Sequence, residues 1–397
     1  MRTVCTTVPD TKGRSGDILM TTRTWSVIAM FCALLLVAGR AESEPRFLSK
    51  QYTRCSTCHY SATGGGLLTS YGRSLSGQEL ATTRRASPQP SAANVVSGEE
   101  AFLFGVLGEH LGPIQLGISL RPSHLRYESG TFNDSRNLLM NADIEGAYRA
   151  GGWTVYGEAG RMPEIAGKAA TLYSREHWIS YATTGGVGIK VGRYAPAYGV
   201  HFADHTSFNR SVLGFDKYDQ VYGIEVSRTS DRSLLQVSVS PGRAESIVDD
   251  PNETSFNATG RLQMDLSPKV VVVGSGLYRD GSTQQERHGA VGGAIGLALW
   301  RRLTIWTEGD AYLRSSGGTS FVVVNEIALE ALRGVWIKVS PQGRTGSEQS
   351  PGVFRWNVGA SLLPRAHFGV SFDLYLDKAE GSERAFKVFL TQLHLYL

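Results

Sequence analysis

From Pro113 onward the chain repeats one pattern: apolar and polar residues alternate over long runs. Ile114, Leu116, Ile118 and Leu120 alternate with Gln115, Ser119 and Arg121. Leu235, Val237 and Val239 alternate with Gln236, Ser238 and Ser240. Phe354, Trp356, Val358, Ala360 and Leu362 alternate with Arg355, Asn357 and Ser361. Successive side chains of an extended strand point to opposite faces, so each run is a strand with one apolar and one polar face. A soluble sandwich alternates too. Length and connectivity separate the two cases. Many of the runs reach about 10–14 residues, enough for a tilted strand to cross a bilayer.

The pattern predicts strands at 113–127, 136–150, 152–161, 171–182, 186–195, 219–230, 232–241, 254–267, 269–280, 286–299, 302–315, 319–331, 334–341, 353–364, 366–378 and 385–397. The number is even, as single-chain bacterial barrels require. The short turns at Gly151, Asp231, Pro268 and Arg365 then share one end, and the longer connections share the other. The expected fold is all-β, a transmembrane antiparallel β-barrel of about 16 strands, with both chain ends on the periplasmic side. Glycine supports it: 46 of 397 residues is well above the usual ~7%, and small residues let a curved sheet close. Trp153, Trp178, Trp306, Trp336 and Trp356 are candidates for an interfacial aromatic girdle, with a buried core as the alternative.

The first 41 residues read as a secretory signal peptide. An apolar run from Trp25 to Gly39 follows Arg23, and Gly39 and Ala41 suit cleavage after Ala41. The run is too short for an anchor helix and is followed by Glu42-Ser43-Glu44. Met20 is an alternative start. The formal net charge of +4 falls to +1 without this leader, which holds five basic and two acidic residues. No basic field remains to recruit nucleic acid. Cys5 and Cys32 leave with the leader, so the mature chain keeps Cys55 and Cys58.

Those two cysteines lie in Cys55-Ser56-Thr57-Cys58-His59, the spacing of a c-type haem attachment site. Two thiols at this spacing form thioethers to one porphyrin, and the following histidine is its axial ligand. A zinc site needs two further ligands at similar spacing, and no second cysteine pair follows. A thioredoxin-like pair needs a βαβ surround. One covalent haem (heme c) is therefore expected, with His59 on the metal. Gly64, Gly65 and Gly66 let the backbone pass close to the macrocycle. Leu67 and Leu68 are expected to cover a haem face, and Tyr71 or Arg73 either reaches a propionate or is solvated surface. The chain divides into a leader (1–41), a monohaem segment (42–83), a linker and barrel-mouth segment (84–112) and the barrel (113–397). Pro88 and Pro90 mark the linker, and residues 101–111 are expected to lie across the barrel mouth.

The stretch CSTCHYSATGGGLLTSYGR (55–73) resembles a family of bacterial proteins with an N-terminal monohaem segment fused to an outer-membrane β-barrel. The resemblance implies a lone covalent haem without a complete cytochrome fold. No Met lies between His59 and Met140, and no His between His59 and His110. A sixth iron ligand must then come from the linker or the barrel. His110, His367 and His394 fall at the periplasmic end, and His110 is the expected ligand, with open or water-ligated iron as the alternative.

The longest connection, about 196–218, is the third external loop. Its place resembles that of the inward-folded third loop of 16-stranded porins. Asp204, His205 and Arg210 would then line a constriction. The alternative is a hydrogen-bonded loop that packs or plugs. His201 and His205 are four apart, but no helix pattern or third ligand makes them a metal site. No catalytic constellation stands out, so an enzyme is not expected. The expected role is electron transfer at the periplasmic mouth of an outer-membrane barrel set in lipid, with a periplasmic or extracellular redox partner. The alternative is a solute or ion channel whose haem segment is a redox gate or docking element.

Overall fold

The computed structural model describes residues 45–61, 63–83, 113–130, 132–161, 172–216, 219–241, 256–280, 288–314, 318–346 and 351–396. The leader, the linker at 84–98, the segment 101–111 and His110 lie outside the described residues. The strands are β1 (Ile114–Ser129), β2 (Phe132–Ala150), β3 (Trp153–Arg161), β4 (Leu172–Tyr173), β5 (His177–Ala182) and β6 (Val187–Tyr194). They continue with β7 (Val221–Thr229), β8 (Ser233–Ser240), β9 (Phe256–Ser267), β10 (Val270–Asp280), β11 (His288–Trp300) and β12 (Leu303–Arg314). The last five are β13 (Gly318–Leu332), β14 (Val335–Arg344), β15 (Val353–Arg365), β16 (Phe368–Ala379) and β17 (Phe386–Tyr396).

Neighbours in sequence pair antiparallel, and the sheet closes where β1 meets β17, from Ser119 opposite Tyr396 to Glu128 opposite Lys387. Both β4 and β5 pair with β3. They are two pieces of one stave, so the barrel has 16 staves. The interruption turns Arg175 onto Asp143 of β2 at 2.6 Å and Glu158 of β3 at 2.9 Å. Pairing in lipid must satisfy every backbone N–H and C=O, and closure leaves no edge to be satisfied by water. Among the described residues no helix is long and apolar enough to cross a membrane, which does not bear on a barrel.

Side-chain polarity is inverted relative to a soluble protein. Ile144, Val155, Ile224, Val226, Val237, Leu262 and Phe372 are exposed on the outer face. Asn141, Asp143 and Glu145 on β2, Gln236 and Ser238 on β8, Glu308 and Asp310 on β12, and Ser340 and Gln342 on β14 are buried inside. An apolar exterior around a polar lumen is stable only where the exterior meets lipid.

Two expectations need correcting. The connection expected between 127 and 136 shrinks to a tight hairpin, because pairing runs on to Ser129 opposite Phe132 and Gly130 adopts a φ of 59°. Of the five girdle candidates, only Trp153 and Trp356 are exposed on the outer face. Trp178, Trp306 and Trp336 point inward and are buried. Trp178 stacks on Tyr156 at 5.2 Å, and Trp336 meets Phe47 edge-on at 5.7 Å. Alternation alone did not mark these three, because the lumen here contains protein for indoles to pack against.

Outward charge is the sharpest check on this orientation. Val237→Arg, near the middle of β8 on the outer face, should cost about 2–4 kcal/mol of stability in lipid. Gln236→Ala, one residue away on the lumen face, should cost much less. Denaturant titration in liposomes, read by heat-modifiable gel mobility, checks the contrast.

Candidate functional site

Residues 45–83 lie inside the barrel at the mouth formed by the short turns. They are held by strand ends from around the ring. Trp306 Nε1 donates to the Pro45 carbonyl at 2.8 Å, and Thr304 Oγ1 to the Arg46 carbonyl at 2.9 Å. Lys50 pairs with Glu330, and Arg54 with Asp265 at 3.2 Å. Thr53 Oγ1 also donates to Asp265, at 3.0 Å. Further along, Thr82 N donates to the Leu363 carbonyl at 2.7 Å and Arg333 Nε to the Ala81 carbonyl at 2.9 Å. Phe47, Cys58, Leu75 and Leu80 form one buried apolar cluster with Ala328, Trp336 and Leu363 of the barrel wall. These partners are more than 200 residues away in sequence, so they bind the segment only once the barrel has formed.

Within the segment, Cys55–Thr57 is a single 3₁₀ turn. Cys58 N and His59 N both donate to the Cys55 carbonyl, at 3.1 and 2.9 Å. That turn sets the two cysteines one helical turn apart, followed at once by His59. His59 Nδ1 faces the Gly66 carbonyl at 3.4 Å, a contact that favours the proton on Nδ1. Gly64, Gly65 and Gly66 all have positive φ, at 82°, 74° and 63°, which only glycine adopts routinely. A Cβ on Gly72 would collide with the Cys58 carbonyl, so the helix Ser70–Leu75 packs directly beneath the motif.

Above the motif lies a cavity of about 1620 Å³ that runs up the lumen. Cys55, Cys58, His59, Gly64, Gly65, Gly66 and Leu68 line it at one end, and His201, Asp204, His205 and Arg210 of the third long loop line it further in. Leu67 turns instead into the barrel wall, against Tyr156, Trp178, Tyr194 and Val221. Of the two leucines expected as cover, only Leu68 lines the cavity. Tyr71 is exposed and donates to Tyr52 Oη at 3.2 Å, while the Arg73 guanidinium binds the Leu116 carbonyl of β1. Neither Tyr71 nor Arg73 lines the cavity. Among the described residues no group of three or more His, Cys, Asp or Glu side chains is placed to hold a bare metal ion. The paired thiols, the adjacent imidazole, the glycine cradle and the apolar wall fit a flat, covalently tethered macrocycle.

The third loop folds inward, as its position in the sequence suggested. Val200 N donates to Glu308 at 2.7 Å, Phe208 N to Gln342 at 2.9 Å and Asn357 Nδ2 to Asp204 at 3.1 Å. Asp204 also accepts from Thr206 N and Oγ1, at 2.9 and 2.8 Å. Burial pushes the Asp204 carboxyl up, but Lys338, His205 and the Thr206 hydrogen bonds outweigh it and hold the group below its ordinary value. His205 is paired with Asp216 at 2.8 Å. Arg210 donates to the Phe202 and Phe215 carbonyls, so it braces the loop as well as facing the lumen.

The chain matches no protein-family model. Nor does any curated protein match it. Solved structures do. OprB of Pseudomonas putida superposes with a TM-score of 0.59 at 8% identity, over 78% of this chain and 100% of that one. The outer membrane channel DcaP of Acinetobacter baumannii gives 0.55 at 9% identity, over 72% and 97%. An anion-selective porin from Comamonas acidovorans gives 0.52 at 9%, over 72% and 99%. The fold is that of the outer-membrane porins. At these identities the likeness is one of architecture alone.

The residues that hold the segment were not legible beforehand. Gly72 carries a local signal, a glycine between Tyr71 and Arg73, but nothing near residue 54 points to Asp265. Asp265→Ala leaves the Arg54 guanidinium buried without its carboxylate, which should cost about 3–5 kcal/mol. Trypsin should then cut at Lys50 and Arg54 faster while the barrel keeps its heat-modifiable mobility. The third loop has its own test. A carboxyl held below its unfolded value stabilises the fold above about pH 4, and that contribution is lost as pH falls through the folded value. Hydrogen exchange of amides 204–207, corrected for intrinsic rates, should speed up below about pH 4. In Asp204→Asn it should be fast already at pH 7.

Proposed function

We propose that this chain is a porin-type conduit of the outer membrane whose short-turn mouth carries an electron-transfer segment with one covalent c-type haem. The observation that carries the reading is that Cys55, Cys58 and His59 line the large lumen cavity rather than facing away from the barrel. Cys55 and Cys58 would hold the porphyrin through thioethers, and His59 would give its imidazole to the iron. Bound there, the group supplies a one-electron centre at the end of a polar conduit.

This chain's own residues do the rest. The latches Lys50–Glu330 and Arg54–Asp265 hold the segment in register with the strand ends. Phe47, Leu75, Leu80, Trp336 and Leu363 exclude water from one side of the site. The third loop and the buried polar wall line the cavity that ends at Cys55. Short turns are periplasmic in barrels of this kind, so the segment belongs on the periplasmic side, within reach of a periplasmic redox partner. One such centre does not cross a bilayer's thickness unaided, so a partner carrier is part of the reading.

A second reading has its own support. The similar structures include a channel and an anion-selective porin, and they favour solute or ion passage over electron transfer. In that reading the segment is a redox gate or a docking element. Its many anchors argue for a fixed plug over a swinging gate.

One preparation tests both. Protein from a host with haem-maturation machinery should gain the mass of one haem, and Cys55→Ala with Cys58→Ala should abolish it. An unmodified mass overturns the haem reading. In planar bilayers, weak or no steady current favours electron transfer. A large solute-selective current that persists in the cysteine variant shows a channel.

A further inference from the structure

Of the nine histidines, His201, His205 and His394 line the cavity together with His59 among the described residues. His124 bonds Asn137 on an exposed surface, and His177 bonds Ser174 and Tyr222 at the barrel wall. His205 is committed to Asp216. His367 is fully buried in its turn. His394 lines the cavity, but its Nε2 lies 3.4 Å from Ser119 Oγ and its ring packs on Tyr396 at 4.8 Å. His201 differs. It lines the same cavity as Cys55, Cys58 and His59, and its Nε2 is shielded from solvent with no hydrogen-bond partner. An unmet buried polar atom costs about 1–3 kcal/mol, and such a group calls for an explanation.

The backbone on both sides of His201 is fixed against the motif segment. Val200 and Phe202 pack in one buried cluster with Leu48 of that segment. Val200 N donates to Glu308 and Asn209 Nδ2 to the Val200 carbonyl, while Arg210 Nη1 donates to the Phe202 carbonyl. Arg261 Nε donates to the Gly199 carbonyl at 2.8 Å and Arg261 Nη2 to Gln263 Oε1 at 2.9 Å. Gln263 Nε2 then donates to the Thr53 carbonyl at 2.9 Å, two residues before Cys55. The third loop and the haem motif are thus tied through two side chains of β9.

The geometry points to His201 as the distal axial ligand of the haem proposed at Cys55 and Cys58, supplied by the third loop. The inference rests on that haem reading. His110, the ligand expected from the sequence, lies outside the described residues.

Full-length protein loaded with haem in vivo gives the test. The wild type should show a low-spin, bis-imidazole absorption and magnetic-resonance spectrum and resist carbon monoxide in the ferrous state. His201→Ala should become high spin and bind carbon monoxide, and added imidazole should restore the low-spin spectrum. His201→Met should stay low spin, with the spectrum of histidine–methionine ligation and a raised reduction potential. His110→Ala and His394→Ala should leave the spectrum unchanged. If wild-type protein carries no haem by mass, the haem reading falls, and this inference with it. If it carries haem but is high spin, or if His110→Ala or His394→Ala produces the conversion, His201 alone is overturned. If His201→Ala fails to fold by gel mobility, His201→Met decides: a spectrum identical to wild type overturns the assignment.

Discussion

The structure depends on one constraint: in hydrocarbon, every backbone polar group must find its partner within the sheet. Closure of β17 on β1 meets it. The same closure fixes which face of each strand sees lipid and which sees the lumen, because side chains alternate strictly. Apolar residues therefore serve as the exterior, and the interior is left to Asn, Gln, Asp, Glu and Ser. A lumen of that kind does not collapse on itself. It holds water, or it is filled by other parts of the chain.

Here two parts of the chain enter it. The segment 45–83 comes in from the short-turn mouth, and the third loop folds in between the strands. Each is anchored by strand side chains that would otherwise be solvated wall: Thr304, Glu330 and Asp265 for the first, Glu308, Gln342 and Asn357 for the second. The two meet in one buried apolar cluster that holds Leu48 from the segment and Val200 and Phe202 from the loop. That contact makes the motif part of the lumen instead of an appendage, and it lets a loop residue such as His201 share a cavity with Cys55. It also explains the inward tryptophans. Trp306 and Trp336 are wall residues whose indoles pack against Pro45, Arg46 and Phe47.

The strands were legible because period-two alternation is local and leaves no doubt about which face is which. Ends were less so: β1 and β2 run on to a two-residue hairpin, and one stave breaks to aim Arg175 at Asp143 and Glu158. The Cys55, Cys58 and His59 motif was readable from spacing, and the glycines at 64–66 do take the positive φ that only glycine adopts routinely. The roles of Leu67, Tyr71 and Arg73 were not. Each sits beside the motif in sequence, yet the segment packs in the barrel so that Leu67 faces the wall, Tyr71 faces out and Arg73 binds a strand carbonyl.

By itself, then, the sequence determined the strand pattern, the number of staves and the thiol–imidazole motif, because each is written in residues a few positions apart. Only the tertiary structure decided what that motif faces. Asp265 lies 211 residues from Arg54, Glu330 lies 280 from Lys50, and Trp306 lies 261 from Pro45. Such partners come together only when the ring closes, since closure alone sets which strand ends surround the mouth and which loop residues hang above it.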